Sequence, residues 1–386
     1  MSNRRDFLKT ATAGLSAAGI MRSPRERALA QFKDEKNRLD RIASCSWPIR
    51  YIFKQRQRPN AAPAAAPPQP AAPPQPAAPP QTQTPPRVVN GGWTSERMKA
   101  TYGEIAMLDF PQFTKDTFPG VTHMDIFSGL FGDVTDDTMF AGRTFDPMSA
   151  SGRKWLDTLA NTLAKTATKV QHISNNAPTN LAGPDEALRQ AGVDVAKRWL
   201  EGCAVLGVKS MRMNSPQALG PSIRPNAVPR GPGDGYPRNI DLIPLLEAAI
   251  ESHREMADFG GKLGIKVTIE NHWGLAADPI NVRTIIDEVN HPYCEASPDF
   301  CNWEHEYMLF NGLKALAPYS HTNVHAKYWD RWGDRNDVQR SVRIMLAGGF
   351  KGTFALEYEE GPLNGVEGAK YLYKEVLAAL SSAPAV

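Results

Sequence analysis

From residue 120 to its end the chain repeats one unit, a short run rich in β-branched residues followed by a longer amphipathic stretch. That repeat limits the fold more than any other feature, because parallel strands joined by helices can bury both sheet faces only in a few ways. Strands are predicted at 41–49, 120–131, 169–175, 207–214 and 265–269, then a run ending in Ser297-Pro298-Asp299-Phe300, then 320–327 and 352–359. Helices are predicted at 184–206, with Leu188, Val195, Trp199 and Val205 on one stripe, and at 241–263, with Asp241 as N-cap and Gly260-Gly261 at its end. Further helices are expected at 282–289, 306–316, 337–347 and 369–380. Eight strands alternating with helices predict an α/β fold of the closed (β/α)8 TIM-barrel type. An open doubly wound sheet would want a glycine-rich phosphate loop after the first strand, and Ser44-Cys45-Ser46-Trp47-Pro48 is not one.

Two segments stand outside this repeat. Asn3-Arg4-Arg5-Asp6-Phe7-Leu8-Lys9, followed by a mild apolar run, resembles a twin-arginine signal, with Ala28-Leu29-Ala30 as a cleavage site. Residues 1–30 are therefore expected to be a signal peptide, and the mature protein periplasmic or secreted. Residues 58–86, rich in Pro, Ala and Gln, have nothing large and apolar to bury and are expected to form a disordered insert after strand one. The remainder, 31–386, is expected to be a single barrel domain.

Loss of residues 1–30 would take the formal charge from +3 to −1. A near-neutral protein is not an electrostatic trap for nucleic acid, and no remaining stretch approaches the ~18 apolar residues of a membrane span. The four cysteines, Cys45, Cys203, Cys294 and Cys301, lack paired zinc spacings and read as small buried apolar residues.

Strand ends hold the chemistry. In 264–274, reading GIKVTIENHWG, the period of two puts Ile265, Val267 and Ile269 on one face and Thr268, Glu270 and His272 on the other. The same alternation turns Glu295, Ser297 and Asp299 inward on strand six, Asn323, His325 and Lys327 on strand seven, and Thr353, Ala355 and Glu357 on strand eight. Four consecutive strands thus offer Glu270, Asp299, His325 and Glu357 to one rim. Clustered carboxylates repel one another unless a cation lies between them, and three oxygen ligands with one imidazole suit a single divalent metal. Manganese, magnesium, cobalt and zinc all satisfy that set, with manganese the working assignment. Arg212, Asn214, His272, Trp303, Lys327, Asp330 and Arg331 form a second circle of expected substrate contacts, and Trp273, Trp303 and Trp329 crowd the rim as aromatic surfaces for a ligand.

The motifs V-T-I-E-N-H at 267–272, S-P-D-F at 297–300, N-V-H-A-K at 323–327 and A-L-E-Y at 355–358 resemble those of the xylose-isomerase-like barrels, over about residues 40–382. The resemblance implies that Glu270, Asp299, His325 and Glu357 hold one divalent metal, and that Glu270 and Glu357 are the catalytic acid and base, acting from opposite faces through a metal-stabilised enediolate. It departs from the epimerase pattern at Asn302, where a histidine often follows the metal aspartate by three. The implied function is a sugar isomerase or epimerase acting on an unphosphorylated carbohydrate. Elimination from a 3-keto-glycoside is the alternative within the same chemistry. The apurinic endonuclease branch wants a basic surface and more histidines than the eight here. Homo-oligomerisation is left open.

Overall fold

The computed structural model describes residues 34–56, 90–213 and 241–382. The signal-like segment, the proline-rich stretch and Asn214 lie outside the described residues. Eight parallel strands form one curled sheet: β1 (Ile42–Cys45), β2 (His123–Phe127), β3 (Lys169–Ser174), β4 (Ser210–Arg212), β5 (Lys266–Ile269), β6 (Cys294–Ala296), β7 (Asn323–Trp329) and β8 (Thr353–Glu360). Their order is β6-β5-β4-β3-β2-β1-β8-β7. Beyond the short β6 the chain reaches β7 through a parallel bridge between Asp299 and His325. There Phe300 N donates to His325 O at 3.1 Å and His325 N to Pro298 O at 3.1 Å. The sheet is thereby a closed barrel.

Helices cover the outside: α1 (Ser95–Tyr102), α2 (Phe110–Thr117), α3 (Ala150–Thr166), α4 (Glu186–Cys203), α5 (Ile243–Leu263), α6 (Pro279–Val289), α7 (Met308–Leu316), α8 (Val338–Ala347) and α9 (Gly365–Ser382). Side-chain caps start several of them. Ser149, Asp185, Asp278 and Asp337 accept from the first-turn amides of α3, α4, α6 and α8. The approach to β5 depends on two glycines. Gly264 ends α5 at φ 72°, where an L side chain would be strained, and a Cβ on Gly260 would lie 2.5 Å from the Ile265 carbonyl oxygen.

The predicted stripe of α4 is corrected by the structure. Leu188 and Val205 are exposed, whereas Gly192, Val193, Ala196, Trp199, Leu200 and Cys203 are buried. The small residues let α4 lie close to its neighbours, and large apolar side chains at its ends overhang that contact. Asp241 accepts from Ile243 N at 3.0 Å, but Leu242 is the capping position of α5.

The apolar core lies between strands and helices, and the barrel interior is largely polar. Strand pairing aligns Asp125 with His172, His172 with Ser210, Thr268 with Glu295, Asn323 with Thr353 and Lys327 with Glu357, which carries the inward register around the barrel. Inside, Lys266 Nζ contacts Glu295 Oε2 at 2.6 Å, His172 Nδ1 meets Ser210 Oγ at 2.7 Å, and Thr353 Oγ1 donates to Asn323 Oδ1 at 2.7 Å. All four cysteines are free and buried, as their spacing implied.

At the closing seam Asn271 stands in for a missing strand partner. Its Oδ1 accepts from Asp299 N at 2.7 Å and its Nδ2 donates to Asp299 O at 3.0 Å, with the side chain fully buried. Asn271→Ala leaves that peptide unsatisfied and is expected to lower unfolding free energy by about 2–3 kcal/mol. Guanidinium denaturation checks this; an unchanged midpoint would show that the seam does not depend on Asn271.

Candidate functional site

Four candidate donor residues meet toward the carboxyl end of the barrel because parallel alternation sends every second side chain inward: Glu270 and Asp299 follow β5 and β6, and His325 and Glu357 lie within β7 and β8. Glu270, Asp299 and His325 each place one donor atom within 4.8 Å of the others. Glu270 Oε2 lies 3.5 Å from His325 Nδ1, and Glu357 Oε2 lies 3.7 Å from the same nitrogen. His325 Nδ1 has no hydrogen-bond partner although fully buried, and Asp299 Oδ2 forms none either, with the Lys327 ammonium at 3.2 Å.

The outer atoms of these groups are committed. His325 Nε2 faces Asp125 Oδ2 at 2.8 Å, and Asp125 also accepts from Ser174 Oγ at 2.9 Å and Asn323 Nδ2 at 3.0 Å. Asp299 Oδ1 accepts from Cys301 N at 2.6 Å and Asn302 N at 3.0 Å. Glu270 is ion-paired with Arg212 and accepts from Asn302 Nδ2 at 2.8 Å. Lys327 Nζ bridges Glu357 Oε1 at 3.0 Å, Asn302 Oδ1 at 3.0 Å and Glu359 Oε2 at 3.2 Å.

Electrostatics follow from that packing. Burial would raise the Glu270 carboxyl, but Arg212, His325, His272 and Lys327 outweigh it and hold it well below the usual carboxylate range. Burial raises Asp299 to about 7, with Lys327 opposing and Glu357 and Glu270 adding to the rise. Burial lowers His325, yet Glu270, Glu357 and Asp125 lift it to about 10. Lys327 is driven well above its ordinary value against burial by Asp299, Glu357, Glu359 and Glu270. The cluster calls for positive charge at its centre. Three carboxylates and an imidazole nitrogen, with His325 Nδ1 and Asp299 Oδ2 lacking hydrogen-bond partners, fit a divalent metal ion, and the same set accepts magnesium, manganese, cobalt and zinc.

Above the donors opens a cleft of about 380 Å³, lined in part by Arg212, His272, Asn302, Lys327 and Glu357. His272 is lowered to about 4 by burial, with Arg212 and Lys327 assisting against Glu270, so it stands there as a neutral imidazole. Three of the expected substrate contacts are not brought to the cleft. Trp303 is fully buried in the core, with its Nε1 donating to Phe300 O at 3.1 Å, because the turn capped by Asp299 sends the chain outward toward α7. Asp330 is exposed and meets Tyr328 Oη. Arg331 donates to Glu304 O at 3.0 Å and stacks over Trp332. Both follow the last residue of β7, where the inward register is lost.

Asp125, Asn302 and Glu359 were missed as parts of the site. Asp125 could have been found, since His123 and Asp125 share the inward period of β2. Glu359 is one inward step beyond Glu357.

No curated protein sequence matches the chain. Among solved structures, the chain is similar to an L-ribulose 3-epimerase, at 13% identity and TM-score 0.50, over 72% of this chain and 90% of that one. The apo 3-keto-D-glucoside 4-epimerase of E. coli aligns at 16% identity and TM-score 0.49, over 72% and 94% of the two chains. A Mycobacterium smegmatis xylose isomerase-like TIM-barrel protein in complex with magnesium aligns at 18% identity and TM-score 0.48, over 71% and 89%. The family described as xylose isomerase-like TIM barrel matches residues 138–380, which span α3 and every strand from β3 to β8, including those that bear the four donors. With the closed parallel barrel observed directly, that match establishes that the chain belongs to the xylose isomerase-like TIM-barrel family.

Proposed function

We propose that the chain is a divalent-metal-dependent sugar isomerase or epimerase that moves a proton next to a carbonyl on an unphosphorylated sugar. One observation carries this reading: Glu270 and Glu357 approach the same His325 nitrogen, at 3.5 and 3.7 Å, from strands β5 and β8. Two carboxylates disposed about one centre can address opposite faces of a substrate held there. The epimerase names among the structural neighbours are consistent with it.

Glu270, Asp299, His325 and Glu357 would hold the metal. A divalent ion there supplies positive charge near the substrate's carbonyl oxygen, which lowers the cost of the enediolate. The chain's own residues do the remainder. Arg212 and Asn302 hold the Glu270 carboxylate ionised and oriented, ready to take the proton, and Glu357, held by Lys327, returns one from the other face. Arg212 and Lys327 line the cleft and are both engaged with carboxylates, which disfavours a phosphate monoester as substrate. Export through the twin-arginine pathway, resting on Arg4-Arg5 and the apolar run after them, places the enzyme where unphosphorylated sugars are the available carbohydrates.

Asp125 is assigned to orient the imidazole. With Nε2 held by Asp125, Nδ1 is the nitrogen turned to the other donors. A carboxylate in this role raises metal affinity.

Glu357→Gln is expected to cut kcat by about 10²–10⁴-fold with the fold unchanged by circular dichroism. Exchange of substrate hydrogen with deuterated water, followed by NMR on keto-sugars, tests the reaction directly. Release of aglycone from a 3-keto-glycoside without any epimer would overturn the proposal in favour of elimination. Asp125→Asn is expected to weaken Mn²⁺ binding by about 10–100-fold in calorimetric titration, and undiminished affinity would remove its assigned role. Because His325 sits at about 10 and Asp299 at about 7, metal binding at neutral pH must displace protons. Affinity should therefore rise with pH, and calorimetry in buffers of different ionisation heat should show proton release. A pH-independent affinity would contradict the ligand set.

A further inference from the structure

Lys327 Nζ has more acceptors around it than its three protons can serve. Glu357 Oε1 and Asn302 Oδ1 lie at 3.0 Å, and Asp299 Oδ2 and Glu359 Oε2 at 3.2 Å. Asp299 and Glu357 belong to the candidate donor set, and Asn302 is a neutral amide whose Nδ2 is given to Glu270 Oε1 at 2.8 Å. Among these partners Glu359 is the anion that no step of the proposed reaction uses.

Glu359 is placed by the backbone and gripped by a ring. In the pairing of β8 with β7, Tyr358 faces Tyr328 and Glu360 faces Trp329, so Glu359 is the extra residue of a bulge. Its Oε2 accepts from Trp47 Nε1 at 2.7 Å, and Arg50 Nη2 lies 3.9 Å from its Oε1. Trp47 in turn packs against the Arg50 guanidinium, 3.9 Å from the ring centre, and against Phe127, ring centroids 4.8 Å apart. A row of contacts thus runs from the loop after β1 to the glutamate on β8, through Trp47, Glu359, Lys327 and Glu357.

We infer that Glu359, oriented by Trp47, is a positioning residue that keeps the Lys327 ammonium against Glu357 while Glu357 gains and loses its proton. The inference rests on the proposed two-glutamate reaction and adds what holds its second base. Glu357 is an anion in one half of that cycle and neutral in the other, so a lysine tethered to it alone would lose its electrostatic hold at each turnover. Glu359 takes no part in the transfer and keeps its charge, with Lys327 and Arg50 beside it. It therefore draws the ammonium to one place in both halves. Glu270 has Arg212 and Asn302 of its own, so a loosened Lys327 should harm one face of the reaction and spare the other.

Glu359→Gln removes the charge and leaves an oxygen for the Trp47 indole. Crystals of the Mn²⁺-loaded full chain carrying it should show Lys327 Nζ withdrawn from Glu357, beyond hydrogen-bond distance. A panel of keto-sugars that includes D-fructose and its epimer D-psicose, incubated in deuterated water and read by NMR, supplies the second measurement. Epimer formation should fall about 10–100-fold with KM little changed, while deuterium still enters one member of the epimer pair, so that exchange per inversion rises. Lys327→Met should show the same change in that ratio, and the double variant should be no worse than Lys327→Met alone. An ammonium that stays on Glu357, or exchange and inversion that fall together from both epimers, overturns the inference and leaves the proposed reaction standing. A displaced Lys327 with no exchange on any keto-sugar by the unaltered chain would uphold the hold of Glu359 on Lys327 and sink the proposed reaction.

Discussion

The barrel closes through two residues that also carry its charge. Asp299 and His325 form the backbone bridge between β6 and β7, and their side chains supply two of the four donors. Closure and the placement of these two side chains are therefore one constraint, because a shift in the seam would move both together. Asn271 reinforces it from β5, holding both polar atoms of the Asp299 peptide. Few other arrangements would keep so many charges buried without slack, since a half-satisfied polar cluster costs more than an apolar one. The apolar shell between strands and helices supplies the stabilisation that offsets this cost.

Below the donors the interior is a polar lattice that leaves few side chains free to turn. Asp125 holds His325 and is held by Ser174 and Asn323, and Asn323 accepts from Thr353 in turn. Each of these residues has its rotamer set by a neighbour on the next strand or across the barrel. Such support keeps a site within the tolerance that proton transfer and metal binding require.

How much of this could be read from residues alone depended on periodicity. Glu270, Asp299, His325 and Glu357 were legible because parallel strands ending at a common rim make inward alternation a geometric statement. Asp125 is inward by the same period of β2 and was overlooked; only its pairing partners, with the β2–β3 register shift between Met124 and Asp125, needed the structure. Trp303 misled because closeness in sequence to Asp299 is not closeness to the cleft; the turn after Asp299 buries it against α7, where a Cβ on Gly312 would meet its ring at 2.4 Å. The α4 stripe failed for a related reason: weight given to large apolar residues overlooked Gly192, Ala196 and Cys203, whose small size permits the close contact.

Asn302 shows how the proton chemistry is confined. It donates to Glu270 and accepts from Lys327, which holds Glu357, so an amide joins the two glutamates through Glu270–Asn302–Lys327–Glu357. An amide transmits orientation and polarisation but takes up no proton at neutral pH. With Glu270 held well below its ordinary range and Lys327 well above, neither of the two groups that Asn302 touches readily exchanges a proton along that chain. A histidine at this place would offer a relay between the two carboxylates. Under the proposed reaction, a proton taken by one glutamate then leaves through the substrate or the cleft and not through the protein, and the two faces of the sugar remain chemically separate. In this chain that separation is kept by one residue that does not titrate.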